Sequence, residues 1–365
     1  MPQSVPNSLH GDETGLVKVT KYAEDAAGKT EQVFGTQSRE FGVDRFCSFG
    51  ESNVAVALKN ASLKMWDGVE FTQVASSLNN GSRIRSLLST AGGSRVVSLA
   101  EDGSVQVRKW PDAGEVSLDT TKLVKCLDGA GINGTSVAFG GKDVDLKIWD
   151  LETQQYTFQA RNVPNNFLDL AVPIWITDVG FARTSGSSVL FTSTAFNQIR
   201  AYDQRQRKPI KDISMVKFKD DGFNHHLNCL RVTPEDQVVV ADIHGDVTLV
   251  DVLNTGRMVA RYKGSKGSVR ALDINEDTRT LACGGMDRVV RLYNLDSRQV
   301  VGRCYVKQKI TALTVNCFAP IKKSANEDDD EDDEVWSEES ENELEEEDGD
   351  DDEEEEKSRA KKAKH

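Results

Sequence analysis

The sequence predicts an all-β fold, a seven-bladed β-propeller followed by a disordered acidic tail. Three observations predict it: a strand–turn–strand phrase that recurs seven times, a spacing that suits a four-stranded blade, and an abrupt change of composition near residue 321. The phrase is an apolar strand, a tight polar turn, and an alternating strand that ends in an aromatic residue and often Asp. It reads VAVALKNASLKMWD at 54–67, VVSLAEDGSVQVRKW at 96–110, SVAFGGKDVDLKIWD at 136–150 and VLFTSTAFNQIRAYD at 189–203. VVVADIHGDVTLVD follows at 238–251 and TLACGGMDRVVRLYN at 280–294, and a weaker copy, HGDETGLVKVTKY, opens the chain at 10–22.

The copies close at Val19, Trp66, Trp110, Trp149, Tyr202, Val250 and Tyr293, in steps of 47, 44, 39, 53, 48 and 43 residues. A propeller blade takes ~40–45 residues, so each copy is one blade. Within a copy, Leu146 and Ile148 face one way and Asp145 and Lys147 the other, as period-two strands require. A further strand leads most copies: 44–49, 84–88, 178–181, 227–232 and 269–274, set off by turn residues such as AGGS, SGSS, PEDQ and NEDT. Another strand follows, as at 300–305, which makes four. The first copy lacks a leading strand, and the chain has a spare one at 310–315. Open sheet edges recruit other chains, so the spare strand is expected to pair into the first blade. The propeller is expected over residues 1–320 and the tail over 321–365.

The net charge of −14 resides in that tail. Residues 327–356 hold 23 of the 59 acids and no base, while residues 1–326 carry 36 acids against 40 bases. A long block of like charge with only Val335, Trp336 and Leu344 as sizeable apolar groups cannot bury enough surface to offset its ordering entropy. Six scattered cysteines (47, 126, 229, 283, 304, 317) form no C-x-x-C pair and read as buried thiols of a reducing compartment. No basic n-region with an apolar h-region opens the chain, and no apolar run nears the ~18 residues of a membrane span. An intracellular protein without catalytic, cofactor or metal sites is the expectation.

Enzyme-like patterns are few. GAGING at 129–134 fits G-x-G-x-x-G, but that fingerprint needs a helix after it, and Thr135–Phe139 reads as strand. A hairpin turn is the expected role. His225 and His226 are adjacent, so in a strand they point apart. Asp242, His244 and Asp246 decorate an inter-strand turn with no second ligand cluster beside them. G-x-S-x-G, P-loop and H-E-x-x-H motifs do not occur.

LKMWD, LKIWDL and GGMDRVVRLYNL resemble WD repeats, although the Gly-His dipeptide of strong repeats is missing and the Trp position is Tyr or Val in several copies. The resemblance implies a buried Asp–His–Ser–Trp network, here largely lost, with Asp287 its best surviving member. The stretch 140–181, GGKDVDLKIWDLETQQYTFQARNVPNNFLDLAVPIWITDVGF, together with IHGDVTLVD and GSVRAL, resembles the family of WD repeat-containing protein 74 and its fungal ribosome-assembly relatives. This resemblance covers roughly residues 10–316. It implies a nucleolar factor on precursors of the large (60S) ribosomal subunit that supports rRNA processing. It also implies that an AAA-type ATPase removes the factor and that animal members are linked to an exosome-associated helicase.

Three regions are candidate contact sites. The longest step of the series contains RNVPNNFLDLAVPIWI, in which Arg161, Asn162, Asn165, Asn166, Phe167 and Asp169 are the contact candidates and Trp175 is expected in the core. Bases cluster at Arg205, Arg207 and Lys208, and again at Arg257, Arg261, Lys263 and Lys266, as contacts to precursor rRNA phosphates would need. In the tail, Trp336 suits a linear docking motif, and Lys357, Arg359, Lys361, Lys362 and Lys364 form a nuclear or nucleolar import patch. The expected partners are pre-60S assembly factors and ribosomal proteins. The rival is a generic WD-repeat scaffold or a ubiquitin-ligase substrate receptor, which would not need a nucleolar tail.

Overall fold

Alternation of apolar and polar residues sets two faces on every strand, and both faces are covered when blades stack side by side. The computed structural model describes residues 7–22, 27–49, 53–66, 71–90, 93–109, 116–184, 188–218 and 225–315. Trp110, Cys317, Trp336, the acidic run and the basic end lie outside the described residues. Among the described residues, strands assemble into seven antiparallel sheets of four.

Blade two is representative. Its strands Val43–Phe49, Asn53–Leu58, Leu63–Trp66 and Phe71–Ala75 pair in chain order from inner to outer. The recurring phrase is therefore the second and third strands, with the leading strand innermost. Blades three to seven begin on the inner strands Ile84–Ser89, Gly129–Asn133, Ile176–Phe181, Leu227–Val232 and Val269–Asn275. Blade one alone is built from both ends of the ring, since its inner strand Ile310–Val315 pairs with Ser8–Asp12. Each inner strand touches that of the next blade, and blade seven's touches blade one's, so the ring is closed.

The core is not one mass. Seven apolar clusters occupy the seven junctions between neighbouring blades, such as Val97, Leu99 and Val105 of blade three against Val137, Phe139 and Trp149 of blade four. The junction of blades seven and one joins Val290, Leu292 and Cys304 to Ile310, Leu313 and Val315. The closing positions Val19, Trp66, Trp149, Tyr202, Val250 and Tyr293 are all buried in or against these clusters. Burial pushes the Cys47 and Cys229 thiols up to about 12 and Cys283 up to about 11, so all three stay protonated at neutral pH.

The GAGING segment corrects the sequence reading. Gly129–Asn133 is the inner strand of blade four, and only Gly134, at φ +59°, belongs to a turn. Its glycines serve close approach of strands. A Cβ on Gly129 would lie 2.5 Å from the Asp178 Cα, and one on Gly131 would lie 2.6 Å from the Val179 carbonyl oxygen.

The turn aspartates supply a second correction. Asp287 accepts from the Val289 and Lys266 amides, each at 3.3 Å, and pairs with Arg291. Asp242 is better bonded and more buried, with Oδ1 accepting the amides of His244, Gly245 and Asp246, each at 2.9 Å. Asp12, fully buried, accepts from the Thr14 amide and hydroxyl and from the Leu16 amide, and pairs with Lys18 at 3.1 Å. The network expected around Asp287 survives in substituted form: Ser265 Oγ meets Cys283 Sγ at 3.4 Å, and the Tyr293 hydroxyl donates to the Lys263 carbonyl at 2.8 Å.

Candidate docking surfaces

Because strands alternate in direction, the turn between second and third strands emerges on the same face as the connection from an outer strand to the next blade. The Arg161–Trp175 connection, from blade four to blade five, lies on that face. Its neck is closed by side chains: Asn162 Nδ2 donates to the Val172 carbonyl at 2.5 Å, and Asn162 Oδ1 accepts from Arg200 Nη1 at 3.0 Å. Arg200 is buried in the third strand of blade five, so the loop is anchored on the next blade. The tip is built around Asn166, whose Oδ1 accepts the amides of Leu168 and Leu170 at 3.0 and 2.9 Å. Asn165 Nδ2 donates to the carbonyl and carboxylate of Asp169, which sits at φ +58°.

This bonding holds apolar side chains in water. Phe167 is 94% exposed, Leu168 62% and Leu170 58%. An exposed phenyl ring contributes nothing to the isolated fold, whereas burying one at an interface yields ~2–3 kcal/mol. A tip pre-ordered by Asn side chains lowers the entropy cost of that burial.

The structure joins two of the sequence candidates. The Arg161 amide donates to the Arg207 carbonyl at 2.8 Å, which sets the exposed bases Arg205, Arg207 and Lys208 beside the neck of the loop. It separates the others. Arg257 opens the outer strand of blade six, while Lys263 and Lys266 lie on its connection to blade seven. Arg261 is bound by Asp246, with Nε to Oδ1 at 3.1 Å, so its charge is locally balanced.

Trp175 departs from the expected core position. It is half-buried, with Nε1 donating to Asp128 at 2.6 Å, the Lys142 ammonium 5.3 Å from its ring centre, and the His226 ring edge-on at 5.3 Å. Burial lowers the His226 pKa, with Asp128 acting in opposition. His225 turns instead to the His244 ring, at 4.1 Å. Among the described residues no group of three or more His, Cys, Asp or Glu side chains could hold a metal ion.

Sequence reasoning missed a ring of equivalent positions around the channel mouth. In six blades the first residue after the second strand donates its amide to the carbonyl just before the inner strand. The pairs are Glu13 to Lys309, Lys59 to Gly42, Glu101 to Arg83, Ala195 to Trp175, Ile243 to His226 and Met286 to Ser268. Blade four instead bonds forward, from the Asp143 amide to the Ile174 carbonyl at 3.0 Å. The repeat phase would have aligned these residues had it been extended one position past each second strand.

Residues 256–294 match the WD domain, G-beta repeat family. The WD40 propeller domain of Doa1 superposes with a TM-score of 0.61 at 15% identity, covering 75% of this chain and 86% of that one, a likeness of fold alone. Ribosome biogenesis protein nsa1 of Schizosaccharomyces pombe is 26% identical over 356 residues, covering 84% of this chain and 87% of its own. The human WD repeat-containing protein 74 is 30% identical over 325 residues, which cover 84% of this chain and 80% of the human protein. A match of that extent, on a seven-bladed ring with these repeats, means that the chain belongs to the WD repeat-containing protein 74 family.

Proposed function

We propose that this chain is a non-catalytic ribosome biogenesis factor that docks on nucleolar precursors of the large ribosomal subunit. There it supports rRNA processing and subunit assembly until an AAA-type ATPase removes it. The names of its relatives support the ribosome biogenesis role, since the fission yeast one is called a ribosome biogenesis protein. Family resemblance supports the large-subunit precursor, the ATPase and the nucleolar location.

The observation that carries the docking is the braced tip with Phe167 in water. In this reading Phe167, Leu168 and Leu170 enter an apolar pocket on an assembly factor or ribosomal protein. Asn165, Asn166 and Asp169 hold the tip, and Arg161 with Asn162 holds the neck. Arg205, Arg207 and Lys208 then meet phosphates or acidic groups beside it, with Arg257, Lys263 and Lys266 as a more distant set and Arg261 contributing less. Residues 321–365 act as a separate acidic tail in which Trp336 anchors a partner. Lys357, Arg359, Lys361, Lys362 and Lys364 direct nucleolar import.

The test replaces Phe167, Leu168 and Leu170 together by Ser in the full chain. All three side chains are exposed, so melting should be unchanged. Co-sedimentation with large-subunit precursors should fall about tenfold or more, as loss of an interface anchor requires. Undiminished co-sedimentation would remove the tip from the interface. Recovery of ubiquitin-ligase subunits without precursor rRNA would replace this reading with the receptor one.

A further inference from the structure

The ring of equivalent positions is chemically divided. Blades one to three place Glu13, Lys309, Lys59, Gly42, Glu101 and Arg83 at it, whereas blades five to seven place Trp175, Ala195, His226, Ile243, Met286 and Ser268. Ile243 is 40% exposed, Met286 41% and Phe196, beside Ala195, 37%. The members of this half are linked from blade to blade. The Trp175 ring meets His226, whose carbonyl takes the Ile243 amide at 3.1 Å. The His244 carbonyl takes the Gly267 amide at 3.1 Å, and a Cβ on Gly267 would lie 3.9 Å from that of Met286. Three blades thus place Trp175, Ile243 and Met286, with His226, His244 and Ser268 between them, along one arc of the channel mouth.

The arc is flanked by cations. Lys142, Lys263, Lys266 and Arg270 are exposed and form no ion pair among the described residues, while Asp246 and Asp287 are occupied by Arg261 and Arg291. We propose that this arc, from Lys142 through Trp175, His226 and Ile243 to Met286, docks an extended acidic polypeptide segment that carries apolar anchor side chains. Charge complementarity selects the acidic character, and the spaced, shallow apolar groups select anchors on a strand-like segment rather than a packed domain. Nucleic acid fits less well, because Ile243 and Met286 offer no stacking plane and the indole is already held by Asp128, Lys142 and His226. This site is separate from the Phe167 tip and stands whether or not the tip docks on ribosome precursors.

The test pans a displayed library of random 16-residue peptides against the full chain. The best recovered peptide is then synthesised with a fluorescein label and titrated by anisotropy. Recovered peptides should carry aromatic or aliphatic residues among Asp and Glu. Ile243→Lys with Met286→Lys should weaken the peptide at least about tenfold. Lys142→Glu with Arg270→Glu should weaken it and flatten its salt dependence, while Phe167→Ser should change nothing. Melting curves check the fold. If the apolar pair melts early, the charge pair, which keeps every apolar group, reads the same arc. Failure to enrich acidic apolar peptides, or binding by both double variants equal to that of the unaltered chain, overturns the proposal. Loss of an oligouridylate probe in the same variants would reassign the arc to RNA, and a dimer dissolved by Ile243→Lys would reassign it to a second copy of this chain.

Discussion

The two halves of the channel mouth share a backbone and differ in side chains. At Glu13, Lys59 and Glu101 in one half, and at Ala195, Ile243 and Met286 in the other, the fold uses only an amide donated to a carbonyl. Any residue but proline could serve there, so the repeat places no demand on the side chain. The charged half behaves as ordinary solvated surface, with Glu13 3.7 Å from Lys309 and Glu101 3.1 Å from Arg85. Phe41, the last residue of the short 3-10 turn Arg39–Phe41, is also exposed on that side. A repeat protein thus separates the two roles of its sequence: the blade junctions answer to packing, and the equivalent rim positions answer to what the surface meets.

The comparison can be broken first at its seams. Blades one and seven meet where Ile310–Val315 supplies blade one's inner strand and packs on blade seven. A chain ending at Gln308 should lose cooperative melting, whereas one ending at Asn316 should keep it. Equal melting temperatures for the two would show that the strand does not hold the ring.

Blade four forms the other seam. Gly131→Val drives a side chain into the Val179 carbonyl and should cost about 3 kcal/mol or more. Gly134→Ala meets nothing within 4 Å and pays only for its positive φ, about 1 kcal/mol. Denaturant midpoints of the two variants decide the order, and a larger loss at Gly134 would return GAGING to the role of a turn.

Within the apolar half, Asp242→Ala strands three amides of a buried turn and should destabilise by about 2–3 kcal/mol. Asp287→Ala made together with Arg291→Met removes two long hydrogen bonds without leaving a buried guanidinium unpaired, and about half that loss is expected. Urea midpoints in the reverse order would make the WD-like repeat, rather than burial, the guide to turn strength.

A further effect belongs to the charged half and depends on pH. His10 is fully buried, and neither ring nitrogen has a hydrogen-bond partner among the described residues. Burial, with Lys18 adding to it, pushes its pKa down to about 3 from 6.5. The unfolded chain therefore binds the proton that the folded chain refuses. His10's contribution is intact above about pH 6.5 and falls as pH drops, by at most about 1.4 kcal/mol per unit until about pH 3. Between pH 7.5 and 5, His10→Gln should flatten the fall in urea midpoint by up to about 2 kcal/mol. An unchanged slope would show that another group sets it.

By itself the sequence determined the repeat, its period and the residues that close each copy, because strand alternation and turn chemistry are local and recur. It also marked the Arg161–Asp169 insertion, since an overlong step between copies is visible without coordinates. Only the tertiary structure decided what depends on residues far apart in the chain. Gly129 and Gly131 look like a turn until Asp178 and Val179, some fifty residues on, press against them. Arg261 looks like a free cation until Asp246 is seen across the hairpin, and Trp175 looks like core until its indole is found bonded to Asp128 at the rim. The division of the channel mouth is legible only when seven blades close, because its members are separated by ~40–50 residues and are joined by backbone hydrogen bonds that carry no side-chain signature.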